Sequence, residues 1–143
     1  MLPDADQVRY STMRDDIPNV APSPAEIGVV VVTFNSARVI LDCLDSLESQ
    51  EGPRPKIVVV DNCSSDDTVQ IVRSWFLSRG EFVEGLATTG FLEEGQKQDV
   101  LIRALTNVGF AAGVNIGLQY LAREKPIRHF WILNPDSIVD PAA

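Results

Sequence analysis

Two short segments of this chain put carboxylates where a ligand could use them. Asp61 closes an apolar run, Ile57-Val58-Val59-Val60, and opens a stretch dense in acceptors and small hydroxyls, Asn62-Cys63-Ser64-Ser65-Asp66-Asp67-Thr68. An acid at the end of a strand can accept hydrogen bonds from a base N–H or from ribose hydroxyls, as the ribose-binding acid of dinucleotide folds does. That placement predicts an Asp61 that is open to a ligand rather than buried. Asx and Ser residues also cap helices and make turns without any ligand, which is the simpler account of Ser65, Asp66 and Asp67. The second segment, Asn134-Pro135-Asp136-Ser137, follows the apolar run Phe130-Trp131-Ile132-Leu133. A single exposed carboxylate there suits Mg²⁺ or Mn²⁺, which is often held by one or two carboxylates together with substrate phosphates. The alternative for Asp136 is an Asx-Pro turn.

A third segment, Asn107-Val108-Gly109-Phe110-Ala111-Ala112-Gly113-Val114-Asn115-Ile116-Gly117, spaces its glycines four apart. Gly113 and Gly117 would share one helix face and let the helix approach a strand or a ligand closely, at roughly 1 kcal/mol each in helix propensity. Helix–sheet packing alone accounts for such spacing equally well. Neither G-x-G-x-x-G nor G-x-x-x-x-G-K-[ST] is present, so no dinucleotide fingerprint or P-loop is supported. His129 is the lone histidine and falls at the opposite end of its strand from Asp136, so no Ser-His-Asp arrangement can be assembled. Cys43 and Cys63 form neither a C-x-x-C pair nor a Cys/His cluster, which predicts two reduced thiols.

The elements that must position these groups can be read from hydrophobic patterning. Val29-Val30-Val31-Val32, Ile57 to Val60 and Phe130 to Leu133 lack polar alternation, as strands covered on both faces do, and this implies a parallel sheet flanked by helices. In such sheets ligands bind beyond the carboxyl ends of the strands, where Asn35, Asp61 and Asp136 would all lie. The first strand is expected at about Ile27 to Val32. A helix capped by Ser36 should run to about Gln50 with Val39, Ile40, Cys43, Leu44 and Leu47 on one face. The second strand is Lys56 to Val60, and Ser65 or Asp66 can cap a helix carrying Val69, Val72 and Phe76. Residues 80–99 hold four glycines and no convincing period, and read as an inserted loop or short hairpin. A third strand at about Val100 to Arg103, a helix at about Ala111 to Arg123 and a fourth strand at about His129 to Leu133 complete a βαβ(insert)βαβ order, the signature of a doubly wound sheet.

Composition sets the outer limits. The 143 residues fit one domain beyond a polar, proline-bearing leader over residues 1–26, which is expected to be flexible. With 45% hydrophobic and 22% charged residues the chain reads as an ordinary globular protein, and a net charge of −8 argues against nucleic-acid binding. No apolar stretch approaches the ~18 residues of a membrane span, nor does the start resemble a signal peptide. A cytoplasmic protein is expected, with a peripheral place at the inner membrane surface left open.

Taken in order, Val29-Val30-Val31-Val32-Thr33-Phe34-Asn35, Val59-Val60-Asp61-Asn62-Cys63-Ser64-Ser65-Asp66, Asn107-Val108-Gly109-Phe110-Ala111 through Asn115, and Leu133-Asn134-Pro135-Asp136 resemble a family 2 glycosyltransferase of the GT-A fold, closest to its rhamnosyltransferase-like members. The likeness covers about Ile27 to Asp140. It implies a Rossmann-like, mostly parallel sheet, incomplete at the C-terminus, and a role in polysaccharide or cell-wall synthesis. The activity it implies is transfer of a sugar, with inversion, from a nucleotide-diphosphate sugar to a hydroxyl of a saccharide or lipid-linked acceptor. By this resemblance Thr33 and Asn35 line the nucleotide pocket and Asp61 holds the base. Asn107 and the Gly109–Gly113 segment shape the wall near ribose and diphosphate, and Phe34, Asn62, Phe110, Asn115 and Asn134 belong to the same donor site. Asp136 is the metal-binding residue of the family's D-x-D motif. Here the first position of that motif is Asn134, which removes one charged ligand.

The resemblance also implies a carboxylate general base in an acceptor-binding half, which would lie beyond Ala143, so no catalytic residue is assigned within the chain. On that reading the chain is a donor-binding part with impaired activity alone. Two alternatives stand beside it. One is a non-catalytic interaction module on the same scaffold, with an apolar edge favouring self-association. The other is a different nucleotide-binding transferase, against which the lack of a basic phosphate loop after the first strand counts.

Overall fold

The runs Val29–Val32 and Ile57–Val60 become strands with both faces covered, whereas Phe130–Leu133, expected to be covered likewise, forms an edge strand that leaves Phe130 and Ile132 exposed on one face. The computed structural model describes residues 27–88, 98–124 and 127–143. Within them β1 (Ile27–Thr33), β2 (Lys56–Asp61), β3 (Phe82–Leu86), β4 (Asp99–Arg103) and β5 (His129–Leu133) alternate with α1 (Ile40–Glu48), α2 (Thr68–Arg79) and α3 (Phe110–Arg123). The strands form one sheet in the order β3-β4-β2-β1-β5, and every pairing is parallel. The expected leader over residues 1–26 lies outside the described residues.

Side chains alternate between the two faces, and each face has its own cluster. Val29, Val31, Ile57, Val59, Leu101 and Leu133 pack with Ile40, Cys43, Leu44 and Leu47 of α1 and Val72, Trp75 and Phe76 of α2. Val30, Val32, Val58, Val60, Val100 and Ile102 meet Val114, Tyr120 and Leu121 of α3 on the other face. Gly113 and Gly117 are the contact points of α3 with β1. A Cβ at Gly113 would stand 2.7 Å from Val32 Cγ1, and one at Gly117 would stand 2.5 Å from Val30 Cγ1. The four-residue glycine spacing therefore serves helix–strand packing.

Two further expectations are corrected. The 80–99 stretch is not a loop or hairpin throughout: Phe82–Leu86 forms β3, an edge strand parallel to β4, while residues 89–97 lie outside the described residues. Its sequence, with Glu84 and Gly85 at its centre, carries no strand period of its own, and Phe82↔Asp99 to Leu86↔Arg103 pairing supplies the order. Nor does Ser36 cap α1 with its side chain. Its hydroxyl turns back onto the Phe34 carbonyl and amide, and the helix begins only at Ile40, whose N–H, like that of Val39, is taken by the Ser36 carbonyl.

The amino ends of the strands are closed by charge. Glu48, Arg54, Arg79 and Asp99 meet there, with Arg79 Nη2 3.0 Å from Glu48 and its guanidinium 4.1 Å over the Trp75 ring. Burial raises the Asp99 carboxyl above the usual range although Ile57 N–H, Arg79 and Arg54 act the other way. On the other face Lys56 lies 3.4 Å from Glu124 and over the Tyr120 ring.

Candidate functional site

The loops after β1 and β2 run to the α1/α2 face, and the loop after β4 runs to the α3 face, so the connections part between the carboxyl ends of β2 and β4 and mark a candidate crevice there. This is the kind of switch point at which parallel sheets bind ligands. Register places Thr33 beside Asp61 and Asp61 beside Arg103 across its floor.

Asp61 is not open in the way its position predicts. It is 1% exposed and its carboxylate accepts three hydrogen bonds from the chain itself. Thr33 Oγ1 and Ser64 Oγ donate to Oδ1 at 2.8 and 2.6 Å, and the Ser64 N–H donates to Oδ2 at 2.9 Å. A buried carboxylate without such donors would be costly, and Ser64, three residues on, turns back to supply two of them. Thr33 is likewise fully buried and spends its hydroxyl on Asp61 instead of lining a pocket.

The loops after β1 and β2 are clasped by side chains along their whole length. Asn35 donates its N–H to Ser64 Oγ at 2.9 Å, and its Oδ1 accepts the Ser65 N–H at 2.8 Å. Ser36 N–H donates to Thr68 Oγ1 at 2.8 Å, and Ala37 N–H to Asp66 Oδ2 at 3.1 Å. The Thr68 hydroxyl and the Thr68 and Ala37 amides hold the Asp66 carboxyl below the usual range. Neither Ser65 nor Asp66 is the cap residue of α2: that position is Asp67, with no side-chain cap bond, and Asp66 instead makes a turn to the Thr68 N–H two residues on and ties down Ala37. Asn35 (φ 45°) and Cys63 (φ 62°) both sit in left-handed backbone, sparsely populated for non-glycine residues and retained where the surroundings dictate it.

Asn62 ties in the third segment. It is 2% exposed, donates from Nδ2 to the Gly109 carbonyl at 2.9 Å and accepts the Val108 N–H at 3.4 Å. Of the residues expected in the donor site, Asn62 and Gly113 are therefore buried packing and anchoring groups. Gly109 takes φ 87°, with its N–H on Asn107 Oδ1 at 2.9 Å, and delivers the chain into α3. Phe34, Asn35, Asn107, Gly109, Phe110, Asn115, Asn134 and Asp136 remain exposed.

Asp136 stands on a loop that is laced to α1 and to the residues just after it. Cys43 Sγ approaches the Asn134 carbonyl at 3.6 Å, Val139 N–H donates to Ser46 Oγ at 3.1 Å, and Gln50 Nε2 donates to the Asp140 carbonyl at 2.7 Å. Val139 enters the core. No group of three His, Cys, Asp or Glu side chains gathers to hold a metal among the described residues. The donor set fits an ion shared between one carboxylate, water and a ligand's phosphates, and does not fit a cage built by protein alone.

Sequence reasoning missed Ser64 as the partner of Asp61. The i to i+3 spacing was available, but turn formation was as good a reading of it. It also missed Arg103, a cation at the edge of the crevice whose Nε lies 3.1 Å from Glu84, itself gripped by Arg73. The hydrogen bonds from Arg73, reinforced by the charges of Arg73 and Arg103, lower the Glu84 carboxyl below the usual range against burial.

Comparison with known proteins adds to this geometry. The model of glycosyl transferase family 2 matches residues 28–143. The poly(ribitol-phosphate) beta-N-acetylglucosaminyltransferase TarS of Staphylococcus aureus is 42% identical over 52 residues, covering 35% of this chain and 9% of that protein. The crystal structure of S. aureus TarS 1-349 in complex with UDP aligns with a TM-score of 0.59 and 26% identity, over 82% of this chain and 29% of that one. Mannosyltransferase PcManGT from Pyrobaculum calidifontis, in complex with GDP-Man and Mn²⁺, aligns with a TM-score of 0.58 over 92% of this chain and 35% of its own; at 23% identity the likeness is one of fold. The chain therefore spans between 9% and 35% of the length of these proteins. No helix among the described residues is long and apolar enough to cross a membrane.

Proposed function

The chain belongs to glycosyl transferase family 2, and from that premise we propose that its crevice binds the nucleotide part of a nucleotide-diphosphate sugar. The activity it serves is transfer of the sugar, with inversion, to a hydroxyl of a saccharide or lipid-linked acceptor. One observation carries the reading: Asn35, Asp61 and the Asn107–Phe110 turn, remote in sequence, are drawn by Ser64 and Asn62 into one edge of the sheet. The UDP complex of a relative with this fold supports it.

In this reading Asp61 accepts a donor from the base, the exposed Asn35 and Asn107 flank the nucleoside, and the start of α3 faces the diphosphate. A helix N-terminus with its free N–H groups suits an anion. Mg²⁺ or Mn²⁺ would be held by Asp136 together with diphosphate oxygens, and would supply neutralisation of the charge that develops on the leaving diphosphate. The chain's own contribution there is to hold Asp136 at a fixed height against α1. The Mn²⁺ complex of the fold neighbour supports a divalent ion.

Calorimetric titration of UDP, GDP and dTDP, with and without Mn²⁺, tests the reading. At least one nucleotide should bind, and Mn²⁺ should tighten it by about tenfold, in keeping with one charge-assisted contact. Asp136→Ala should abolish the Mn²⁺ effect and leave metal-free binding unchanged. A folded chain that binds none of the three is not a donor site, and an Asp136→Ala variant with the full Mn²⁺ response removes that residue from the metal.

A further inference from the structure

We propose that Ser46 of α1 and Gln50 just beyond it are positioning residues for the divalent ion. They fix the turn that carries Asp136 and, through it, the affinity of the site for Mn²⁺ or Mg²⁺. The inference rests on the reading of Asp136 as the carboxylate that shares the ion with the nucleotide's phosphates.

Asp136 stands on a tight turn. The Ser137 N–H donates to the Asn134 carbonyl at 3.0 Å, and Pro135 presets φ at the second residue of that turn. Asp136 itself is exposed, and an exposed turn with few buried contacts has little of its own to hold it still. What holds it lies on either side. Before the turn, the Asn134 carbonyl meets Cys43 Sγ at 3.6 Å. After it comes Val139, 8% exposed and part of the core. A chain held two residues before Asp136 and three residues after it leaves that carboxylate a short tether.

The hold after the turn is made by two side chains at one helix end. The Val139 N–H can only donate, and Ser46 Oγ accepts it at 3.1 Å while giving its own proton to the Cys43 carbonyl at 2.7 Å. The second bond leaves the lone pairs of that oxygen for the first. Gln50 spends both hydrogens of one amide: Nε2 donates to the Ser46 carbonyl at 3.2 Å and to the Asp140 carbonyl at 2.7 Å. The Ser46 carbonyl is among the last four of α1, which lack partners within the helix. Gln50 therefore closes the helix end and grips the segment after the turn at once. Without the Ser46 hydroxyl the Val139 N–H, on a buried residue, loses its partner at a desolvation cost. The segment relieves that cost by moving toward water, and the turn moves with it.

Electron paramagnetic resonance of free Mn²⁺ decides the matter, with UDP, GDP or dTDP at saturation, whichever of the three binds tightest. The full chain is compared with its Ser46→Ala, Ser46→Thr and Gln50→Ala variants, and Asp136→Ala gives the background. Ser46→Ala should raise the half-saturating Mn²⁺ concentration by about tenfold, the usual effect of losing a group that orients a metal ligand. Metal-free nucleotide binding, measured by calorimetry, should stay as in the unaltered chain. Ser46→Thr keeps a hydroxyl that can still reach a carbonyl one turn back, and should restore the Mn²⁺ affinity. Gln50→Ala should weaken Mn²⁺ in the same direction. A merely stabilising role would lower the urea midpoint of Ser46→Ala and leave the Mn²⁺ affinity of the folded variant unchanged, and that result overturns the proposal. Should Ser46→Ala not fold, Gln50→Ala at its half-buried site decides alone, since an unchanged Mn²⁺ affinity there overturns it too. Asp136→Ala binding Mn²⁺ as tightly as the unaltered chain is a different result: it refutes the metal reading itself, and this inference with it.

Discussion

At the residue scale, the polar groups of the 61–68 segment are spent mostly on each other and on the neighbouring loop. Asp61, the strongest ligand candidate by type and position, reaches a ligand only through what Thr33 and Ser64 leave over. Spacing showed that these residues meet at one sheet edge. It could not show which way Ser64 turns, because a hydroxyl three residues after an acid can face it, face solvent or cap a helix with similar local energies. The two cysteines divide more cleanly. Cys63 is exposed beside the crevice and Cys43 is fully buried. Burial, helped by the charge of Asp136, pushes the Cys43 thiol from its ordinary 9.0 up to about 11. A maleimide at pH 8 should therefore modify one thiol per native chain and both after denaturation. Since the folded value is the higher one, the contribution of Cys43 to stability is intact below pH 9 and is lost as pH rises through about 11. That loss amounts to about 2–3 kcal/mol, and urea melts across pH 8–11 should show it reduced in Cys43→Ala. Rapid native labelling of both thiols would contradict the buried placement.

At the element scale, α3 is set against β1 by the absence of two side chains. Replacing Gly117 with Ala gains about 1 kcal/mol of helix propensity, yet the new Cβ meets Val30 Cγ1 at 2.5 Å and Cβ at 3.3 Å. A β-branched valine in a central strand has little freedom to turn away, and overpacking costs about 1–3 kcal/mol. Gly117→Ala should therefore destabilise by up to about 2 kcal/mol in urea melts, and a more stable variant would show that the helix can slide. The buried strands were legible in the sequence because two covered faces leave no polar positions; β3 was not, since an edge strand with Glu84 on one face and Gly85 beside it owes its order to β4. The start of α1 was misplaced for a related reason. Ser36 has the composition of a cap, but its hydroxyl is drawn to Phe34 and its N–H to Thr68, contacts that only the fold creates.

At the scale of the whole molecule, the two ends of the sheet do different work. Ion pairs among Glu48, Arg54, Arg79 and Asp99 close the amino end, while neutral hydroxyls and amides organise the loops after β1 and β2 at the carboxyl end around Asp61 and Asp66. A nucleotide bound at the carboxyl end stabilises the entire fold through linkage. At a hundred times its Kd it should add about 2.7 kcal/mol, a rise in Tm of roughly 5–10 °C for a domain of this size; a calorimetrically measured ligand that leaves Tm unmoved at that excess must bind the unfolded chain equally well. The strand order has a further consequence, one of timing. β1, the first strand, is paired with β2 on one side and with β5 on the other. During synthesis at about 5–20 residues per second, the 100 residues from Thr33 to Leu133 take roughly 5–20 s to appear. For that interval one edge of the valine-rich first strand has no partner of its own, and the nascent chain depends on its surroundings on the ribosome to keep that edge from finding another.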